Sequence, residues 1–242
     1  MRCVAIIPAR GGSKRIPRKN VRPMFGVPII ARTIAMLRES ALFEDVVVST
    51  DDPEIADVSR AAGALVPFTR PAHLADDHTG TTPVITHAVQ AIDALGWSFD
   101  AACAVYPTAV LLTPGDLRAG LSLLREAGTE YVLSAQAYSH PVERAFRTRA
   151  DGRIEMRWPE YRDVRTQDLE PAVYDAGAFY WGTAEAWRDG RSIYTGATRA
   201  LVLPADRLQD IDTPDDWARA ERLFLERSEP KDWSGDDEGT RT

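Results

Sequence analysis

Continuous apolar runs alternate along this chain with segments of helical periodicity, and this alternation restricts the possible folds more than any other feature. The first run, CVAIIPA at 3–9, is typical of a strand buried on both faces. Apolar residues then recur at helical spacing, which predicts a helix over about 27–40. The same reasoning predicts further strands at 45–50, 64–68, 101–107, 131–138, 176–182 and 200–204, and further helices that begin at Pro53, Thr82, Pro114 and Pro214. This order indicates an α/β fold with a mainly parallel sheet and helices on both faces.

The alternation breaks down between about 139 and 178, where Pro and Gly interrupt short β-like pieces and cations are frequent. We predict that this stretch is an inserted arm, outside the main sheet but within a single domain over residues 1–227. The stretch 228–242 has no apolar periodicity and is expected to be disordered.

The overall charge and the cysteines limit the partners and the compartment of the chain. Its formal net charge is −7, whereas a protein that binds duplex nucleic acid needs a broad basic face, so nucleic acid is not an expected partner. The apolar runs are far shorter than the roughly 20 residues of a membrane helix, and residues 1–10 show no leader-like segment. Cys3 and Cys103 lie in apolar strand-like runs and are expected as buried free thiols. We therefore expect a cytoplasmic protein with no membrane partner.

Positive charge is nevertheless concentrated in one loop directly after the first strand. The cations of RGGSKRIPRKN at 10–20 are Arg10, Lys14, Arg15, Arg18 and Lys19. Gly11 and Gly12 allow the backbone to approach an anion closely, while lysine and arginine add charged donors. Because ligands of open α/β sheets bind beyond the carboxyl ends of the strands, we predict a site for a small phosphate-bearing ligand. The spacing matches neither the dinucleotide-binding glycine motif nor the P-loop, and a solvated basic loop is the alternative.

A pair of aspartates near the other end of the chain is the second candidate. In QDIDTPDDW at 209–217, Asp210 and Asp212 flank Ile211, and residues two apart on an extended segment face the same way. Two carboxylates, together with phosphate oxygens and water, form the hard-oxygen environment that Mg²⁺ prefers. The motif therefore predicts a magnesium site, and the alternative is that Asp212 and Thr213 only cap the helix that begins at Pro214.

The polar stretch TRPAHLADDHTGTT at 69–82 is a third candidate, because loops of this length commonly carry function. Arg70 offers a forked donor to a base or a phosphate, and Gly80, Thr81 and Thr82 offer amides and hydroxyls. A plain surface loop is the alternative. The histidines show no metal-ligand spacing and are interpreted as loop or surface residues: His73, His78, His87 and His140.

Four separated blocks resemble the CMP-sialic acid synthetase (acylneuraminate cytidylyltransferase) family, in the order and spacing of that family. They are IPARGGSKRIPRKN, VVVSTDDPEIADVSRAAGA, RPAHLADDHTGTTPVITHA and QDIDTPDDW, within about residues 3–225. The resemblance implies the nucleotide-diphospho-sugar transferase fold.

Within this family the chain most resembles the pseudaminic acid branch. The shared segments are WPEY at 158–161, RTQDL at 165–169 and DAGAFYWG at 175–182. Arg15 also matches that branch, since the sialic acid enzymes usually have glycine there. The segments at 106–110 and 174–177 depart from the sialic acid pattern at positions where the sugar is expected.

The resemblance implies that the anomeric hydroxyl of a nine-carbon 2-keto sugar acid, pseudaminic acid, attacks the α-phosphate of CTP, with Mg²⁺ as cofactor and pyrophosphate as leaving group. The implied nucleotide ligands are Arg10, Gly11, Gly12, Ser13, Lys14, Lys19, Asn20, Arg70, Gly80, Thr81 and Thr82. The implied catalytic residues are Lys19, Asp210 and Asp212, and the two aspartates are also the implied metal ligands. The implied sugar ligands are Tyr106, Arg144, Arg165, Gln167 and Asp175, with Arg165 expected at the substrate carboxylate. Arg144 matches a family position that reaches the neighbouring subunit, which implies a homodimer with composite sites.

Several alternatives remain open at this point. The same chemistry on sialic or legionaminic acid is the nearest, followed by a nucleotidyltransferase that acts on an octulosonate. A non-catalytic nucleotide-binding module would retain the cationic loop, but it would have no need for the aspartate pair. Release of pyrophosphate from CTP distinguishes an enzyme from such a module.

Overall fold

The structure is a computed structural model that describes residues 1–228. Its strands are β1 (Cys3–Pro8), β2 (Pro23–Met24), β3 (Val27–Pro28), β4 (Asp45–Ser49), β5 (Ala101–Val105), β6 (Tyr131–Ala137), β7 (Phe146–Thr148), β8 (Ile154–Met156), β9 (Val173–Thr183) and β10 (Thr198–Val202). Its helices are α1 (Ile29–Glu39), α2 (Pro53–Ala61), α3 (Thr81–Ala94), α4 (Pro114–Leu124), α5 (Ala184–Arg188) and α6 (Pro214–Ser228). The tail predicted at 228–242 lies outside the described residues, apart from its first residue.

Six of the strands form one sheet, in the order β10-β6-β9-β5-β1-β4. β1 pairs in parallel with β4 and β5, and β10 pairs in parallel with β6. β9 lies antiparallel between β5 and β6, since the arm has already carried the chain to the carboxyl ends of those strands. The predicted mainly parallel sheet is confirmed, with β9 as its antiparallel member.

Alternate residues of β1 point to opposite faces of the sheet, and both faces are covered. Ala5 and Ile7 belong to the apolar cluster that includes side chains of α1 and α4. Val4 and Ile6 belong to the cluster that includes side chains of α3 and α5. The predicted cover on both faces is therefore confirmed, and this double burial explains why the strand reads as a continuous apolar run. Within residues 1–228, no helix combines the length and the apolar character needed to cross a membrane.

Two predicted elements differ from the structure. The strand predicted at 64–68 is wrong, because only Leu65 forms a bridge, to Val47 of β4. Pro67 has no N–H with which to extend that pairing, so the segment remains irregular. The first helix begins at Ile29, slightly later than predicted, because β2 and β3 form an antiparallel hairpin immediately before it.

The cysteine prediction is confirmed, since Cys3 and Cys103 are buried and free. The histidine interpretation is correct for three residues and wrong for the fourth. His87 lies within α3, half-buried, with its ring edge-to-face against Phe68 at a centroid distance of 5.4 Å. Its position next to Ala88, in the apolar stripe of the helix, was the overlooked sequence signal.

The stretch predicted as an arm contains its own two-stranded antiparallel sheet, formed by β7 and β8. The prediction that the whole stretch lies outside the main sheet is wrong at its end, because residues 173–178 belong to β9. Large apolar side chains are exposed there and at the start of β9: Phe146, Ile154, Trp158 and Val173. These apolar side chains are therefore open to solvent in a single copy of the chain.

Ser134 holds an irregularity in β6 that sets the position of the first residues of β9. The register between β6 and β9 shifts at this fully buried serine, and beyond the shift Ala135 lies opposite Asp175. Its Oγ accepts hydrogen bonds from the backbone N–H groups of Ala178 and Phe179, both at 3.1 Å. The hydroxyl therefore supports the backbone that presents Asp175.

Replacing Ser134 by alanine is expected to lower the free energy of unfolding by about 1–3 kcal/mol, since buried donors lose their acceptor. Urea denaturation followed by circular dichroism measures this change. Ser122→Ala is the matched control, because the Ser122 hydroxyl is exposed and bonds within its own helix. A Ser134→Ala variant as stable as this control would contradict the assigned role.

Candidate active site

The cationic loop lies where predicted, directly after the carboxyl end of β1, and it is closed by its own polar groups. The Asn20 side chain is buried and its Nδ2 donates to the carbonyl oxygen of Arg10 at 3.0 Å. The backbone N–H of Gly11 donates to Asp51 Oδ1 at 3.0 Å, which ties the loop to the end of β4. The backbone of the loop is thus preorganised by side chains on both sides.

The two glycines of the loop have different surroundings. A Cβ atom on Gly11 would lie 2.6 Å from Asp52 Oδ2, so no larger residue fits against the start of α2. A Cβ atom on Gly12 would meet no atom within 4 Å, so its backbone faces open space. Gly11 therefore permits a close approach within the protein, whereas Gly12 leaves room for a ligand.

One of the five predicted cations is directed away from the ligand. Arg18 donates to both carboxylate oxygens of Asp52, at 2.6 and 2.9 Å, and also pairs with Glu54. This hydrogen bonding lowers the pKa of Asp52 to about 2. Arg18 thus anchors the loop to α2 and is not available to a phosphate.

The other four cations line a cavity of about 360 Å³, which we call the cationic cavity. Its lining consists of Arg10, Ser13, Lys14, Arg15, Lys19, Asn20, Asp77 and Asp212. Four positive charges face two carboxylates there, so the cavity carries a local positive excess although the whole chain is acidic. Such a field concentrates anions.

Asp212 joins the distant aspartate motif to this loop. Arg15 lies 2.8 Å from Asp212 Oδ1, and Lys19 Nζ lies 3.4 Å from the same oxygen. Lys19 Nζ also donates to the carbonyl oxygen of Ile211 at 2.5 Å. The two candidate motifs, at opposite ends of the sequence, therefore meet in space.

The capping alternative is confirmed for Thr213 but not supported for Asp212. Thr213 Oγ1 accepts from the backbone N–H of Asp216 at 3.2 Å, and the Asp216 carboxylate accepts from the Thr213 N–H at 2.8 Å. This reciprocal pair satisfies the start of α6. The carboxylates of Asp210 and Asp212 are consequently not needed to cap this helix.

The donor set fits a magnesium ion. Burial raises the pKa of Asp210, and the neighbouring charge of Asp212 raises it further. A divalent cation would relieve that repulsion, and carboxylate oxygens are its preferred protein ligands. Because the described residues contain no cluster of three or more His, Cys, Asp or Glu side chains, the remaining ligands would be phosphate oxygens and water.

A second cavity of about 180 Å³, the nucleoside cavity, adjoins the first. It is lined by Pro8, Arg10, Lys19, Asn20, Arg70, Thr79, Gly80, Thr81, Val84, Tyr106, Pro107 and Thr108. Arg70 is only 4% exposed, and its Nε donates to Ser49 Oγ at 3.2 Å. Burial lowers the Arg70 pKa to about 10, so the guanidinium remains charged at neutral pH. Thr82, also predicted here, lies in the first turn of α3 outside this lining.

A third cavity has a volume of about 420 Å³, and we call it the Asp175 cavity. It is lined by Gln136, Tyr174, Asp175, Ala176, Gly177, Ala205, Leu208, Gln209, Asp210 and Arg219. The Asp175 carboxylate accepts from the hydroxyls of Tyr180, at 2.9 Å, and Tyr194, at 2.7 Å. Its orientation is therefore fixed before any ligand binds.

Tyr106 lies between the nucleoside cavity and the Asp175 cavity. Its hydroxyl is hydrogen-bonded to that of Thr81. Burial raises the pKa of Tyr106, and the charges of Asp175 and Asp210 raise it further. The phenol therefore stays protonated at the border of the two cavities.

The predicted sugar ligands of the arm lie elsewhere in the described chain. Arg144 donates to the carbonyl oxygen of Arg162 at 3.0 Å, within the arm itself. Arg165 is exposed and pairs with Asp168 at 2.8 Å, and Gln167 is exposed as well. Within residues 1–228, the linings of the three cavities do not include these side chains.

Several residues of the site escaped sequence reasoning. They are Ser49, Asp77, Gln136, Tyr180, Tyr194, Gln209 and Arg219. Asp77 offered a signal, since it is an acid placed within the long polar loop that was already singled out. Gln209 and Tyr180 also lie within segments that were singled out, QDIDTPDDW and DAGAFYWG, whereas Gln136, Tyr194 and Arg219 gave no local signal.

Comparisons with known proteins agree with this architecture. A family model described as cytidylyltransferase matches residues 4–153. A pseudaminic acid cytidylyltransferase of Campylobacter jejuni is 36% identical over 224 residues, which cover 93% of this chain and 97% of that protein. A CMP-N,N'-diacetyllegionaminic acid synthase of Legionella pneumophila is 33% identical over 227 residues, covering 93% and 97% of the two chains.

A solved structure of CMP:2-keto-3-deoxy-manno-octonic acid synthetase in complex with CTP superposes with a TM-score of 0.70 at 17% identity, covering 94% of this chain and all of that one. At this identity the likeness concerns the fold alone, and it confirms the nucleotide-diphospho-sugar transferase fold expected from the sequence. The family model spans more than half of the chain, and the curated relatives span nearly all of it. This chain belongs to the cytidylyltransferase family.

Proposed function

We propose that this protein transfers CMP from CTP to pseudaminic acid, with release of pyrophosphate. The observation that carries the proposal is the contact of Asp212 with Lys19 and Arg15, because it joins the aspartate pair to the cationic loop. The cationic and nucleoside cavities share Arg10, Lys19 and Asn20, and the Asp175 cavity contains Asp210, two residues from Asp212, so both substrates would lie beside the aspartate pair. The name of the Campylobacter jejuni relative, which is covered over 97% of its length, supports pseudaminic acid as the acceptor.

The cationic cavity is the proposed site of the triphosphate. Arg10, Ser13, Lys14 and Lys19 would contact phosphate oxygens, and the Gly11 and Gly12 segment would bring its backbone close to them. Asn20 would act indirectly, since its amide already holds the loop closed. In-line attack on phosphorus depends mainly on such positioning and charge neutralisation.

The nucleoside cavity is the proposed site of cytosine and ribose. Cytosine presents two acceptors, O2 and N3, which suit the forked guanidinium of Arg70 and the backbone of Gly80 and Thr81. Arg70 is held by Ser49, so little rotational freedom is lost when a base binds. Thr82 would act through the first turn of α3.

The Asp175 cavity is the proposed site of the sugar acid. Its amides, carboxylates and hydroxyls suit a polyhydroxylated ring, and Tyr106 borders the nucleoside side. Asp210 lines this cavity, and two alternative roles are proposed for it: second carboxylate ligand of Mg²⁺, or base for the attacking hydroxyl. Asp212 would ligate Mg²⁺, and the bound ion would offset negative charge on the phosphate oxygens.

The enzyme is proposed to act as a cytoplasmic homodimer. The exposed apolar side chains of the arm support an interface, and the two buried free thiols are typical of a reducing compartment. Arg144, Arg165 and Gln167 would then contribute to the Asp175 cavity of the partner subunit.

Turnover of CTP with a panel of pseudaminic, legionaminic and sialic acids tests the proposal, with the product identified by its mass. We expect CMP-pseudaminic acid to form with the highest kcat/KM. Preferred formation of CMP-legionaminic or CMP-sialic acid would overturn the substrate assignment while retaining the reaction. Nucleotide binding without pyrophosphate release from any pair would overturn the enzymatic assignment.

A further inference from the structure

Asp77 occupies a position in the site that its charge makes unexpected. Its carboxylate lies in the cationic cavity, where Oδ1 is 2.5 Å from Arg10 Nη1 and Oδ2 pairs with Lys14 Nζ. These hydrogen bonds lower the pKa of Asp77 to about 2, the bond from Lys14 contributing most, so the group is ionised at neutral pH. Two cations proposed to bind phosphate therefore already hold an anion of the protein.

The same short loop also reaches the nucleoside cavity. Asp76 Oδ1 accepts from the backbone N–H of His78 at 2.9 Å and of Thr79 at 2.7 Å, which folds the chain into a tight turn. Immediately after this turn, Thr79 and Gly80 line the nucleoside cavity. Asp77 and the nucleoside ligands are consequently separated by only one or two residues.

A phosphate that binds Arg10 and Lys14 has to compete with the Asp77 carboxylate for the same donors. An inorganic polyphosphate offers only phosphate oxygens in exchange, so its binding is weakened by that competition. A nucleoside triphosphate also contacts the segment that Asp77 anchors. These additional contacts compensate for the hydrogen bonds that Arg10 and Lys14 lose to Asp77. The loop therefore favours a ligand that carries both a phosphate chain and a nucleoside.

We propose that Asp77 is a specificity-determining residue that discriminates CTP from inorganic polyphosphates, including the pyrophosphate product. The Asp77 carboxylate remains paired with Arg10 and Lys14 until a nucleotide displaces it, and it pairs with them again when pyrophosphate leaves. This inference rests on the proposed function in that the nucleotide is CTP.

The test compares Asp77→Asn with the wild type in isothermal titration calorimetry, using inorganic tripolyphosphate and, separately, CTP. We expect the variant to bind tripolyphosphate about 3- to 10-fold more tightly, because an exposed acid no longer competes for two cations. We expect its affinity ratio of CTP to tripolyphosphate to fall, and inhibition of turnover by pyrophosphate to become stronger by a similar factor. If Asp77 had a purely structural role, its replacement would instead weaken the binding of both tripolyphosphate and CTP.

Two further variants control for charge and chain length. Asp57→Asn removes one negative charge from an exposed pair with Arg60, outside the cationic cavity, and is expected to leave both affinities unchanged. Asp77→Glu retains the charge and is expected to keep tripolyphosphate binding close to that of the wild type. Thermal unfolding of each variant verifies that the fold is intact.

Tripolyphosphate binding by Asp77→Asn that is equal to or weaker than wild-type binding would overturn the inference. The same holds if neither the wild type nor Asp77→Asn binds tripolyphosphate. The binding measurement needs no sugar and no turnover, so it is separable from the proposed function. A wild type that binds tripolyphosphate as expected but releases no pyrophosphate from CTP would overturn the function alone.

Discussion

Replacing Asp212 by alanine is expected to abolish measurable release of pyrophosphate from CTP and the sugar acid, even at saturating Mg²⁺. The carboxylate is the group through which Arg15 and Lys19 meet the aspartate motif. It is also the proposed metal ligand nearest to those cations. Its removal would leave Arg15 and Lys19 without their shared carboxylate and would weaken metal binding. For comparison, the loss of a single preorganised donor lowers kcat by roughly 10²–10³-fold. A coupled pyrophosphate assay measures the effect.

Asp215→Asn is the matched control for this experiment. Asp215 is an exposed acid in the first turn of α6, three residues from Asp212, and it lies outside the lining of the cationic cavity. We expect this variant to retain wild-type turnover and thermal stability. Near-wild-type turnover by Asp212→Ala would defeat the metal assignment and the proposed meeting of the two motifs in catalysis.

Replacing Lys19 by alanine is the second change with a large expected effect. Lys19 Nζ is held by the Ile211 carbonyl oxygen and lines both the cationic and the nucleoside cavities. It is therefore positioned to offset the charge that develops on the leaving pyrophosphate. By analogy with the loss of one preorganised donor, the variant should lose about 3 kcal/mol of transition-state stabilisation. This loss corresponds to a fall in kcat/KM of roughly 100- to 200-fold. Steady-state kinetics with varied CTP measure the change.

The Lys19 side chain also supports the segment before α6, so stability has to be followed in parallel. Arg60→Ala serves as a control, since it removes an exposed cation that pairs with Asp57 away from the site. We expect Arg60→Ala to leave kcat/KM unchanged. A folded Lys19→Ala protein with an unaltered kcat/KM would exclude Lys19 from the reaction.

Short-range patterns made much of the fold predictable. Burial on both faces of the sheet produces continuous apolar runs such as 3–9, and the capping residue Asp52 precedes α2 where a helix start was expected. The failure at 64–68 has the same origin, because a short apolar run does not reveal whether a neighbouring strand is close enough to pair beyond one bridge.

The ligand-binding loop was predictable because its residues are contiguous. A dense run of cations with two glycines after a buried strand is visible without any tertiary contact. Which of its cations pair with acids of the protein was not predictable. Arg18 turns to Asp52 while Arg10 turns to Asp77, and these acids lie on loops that follow different elements.

The sequence alone determined the alternating α/β pattern, the cationic loop at the end of the first strand and the spacing of the aspartate pair. All of these depend on residues within a few positions of one another. Tertiary structure alone decided that Asp212 meets Lys19, that β9 inserts antiparallel and presents Asp175, and that Asp77 holds two of the cations. The physical reason is that strand order and charge pairing connect segments far apart in the chain, and no local periodicity encodes which of them become neighbours.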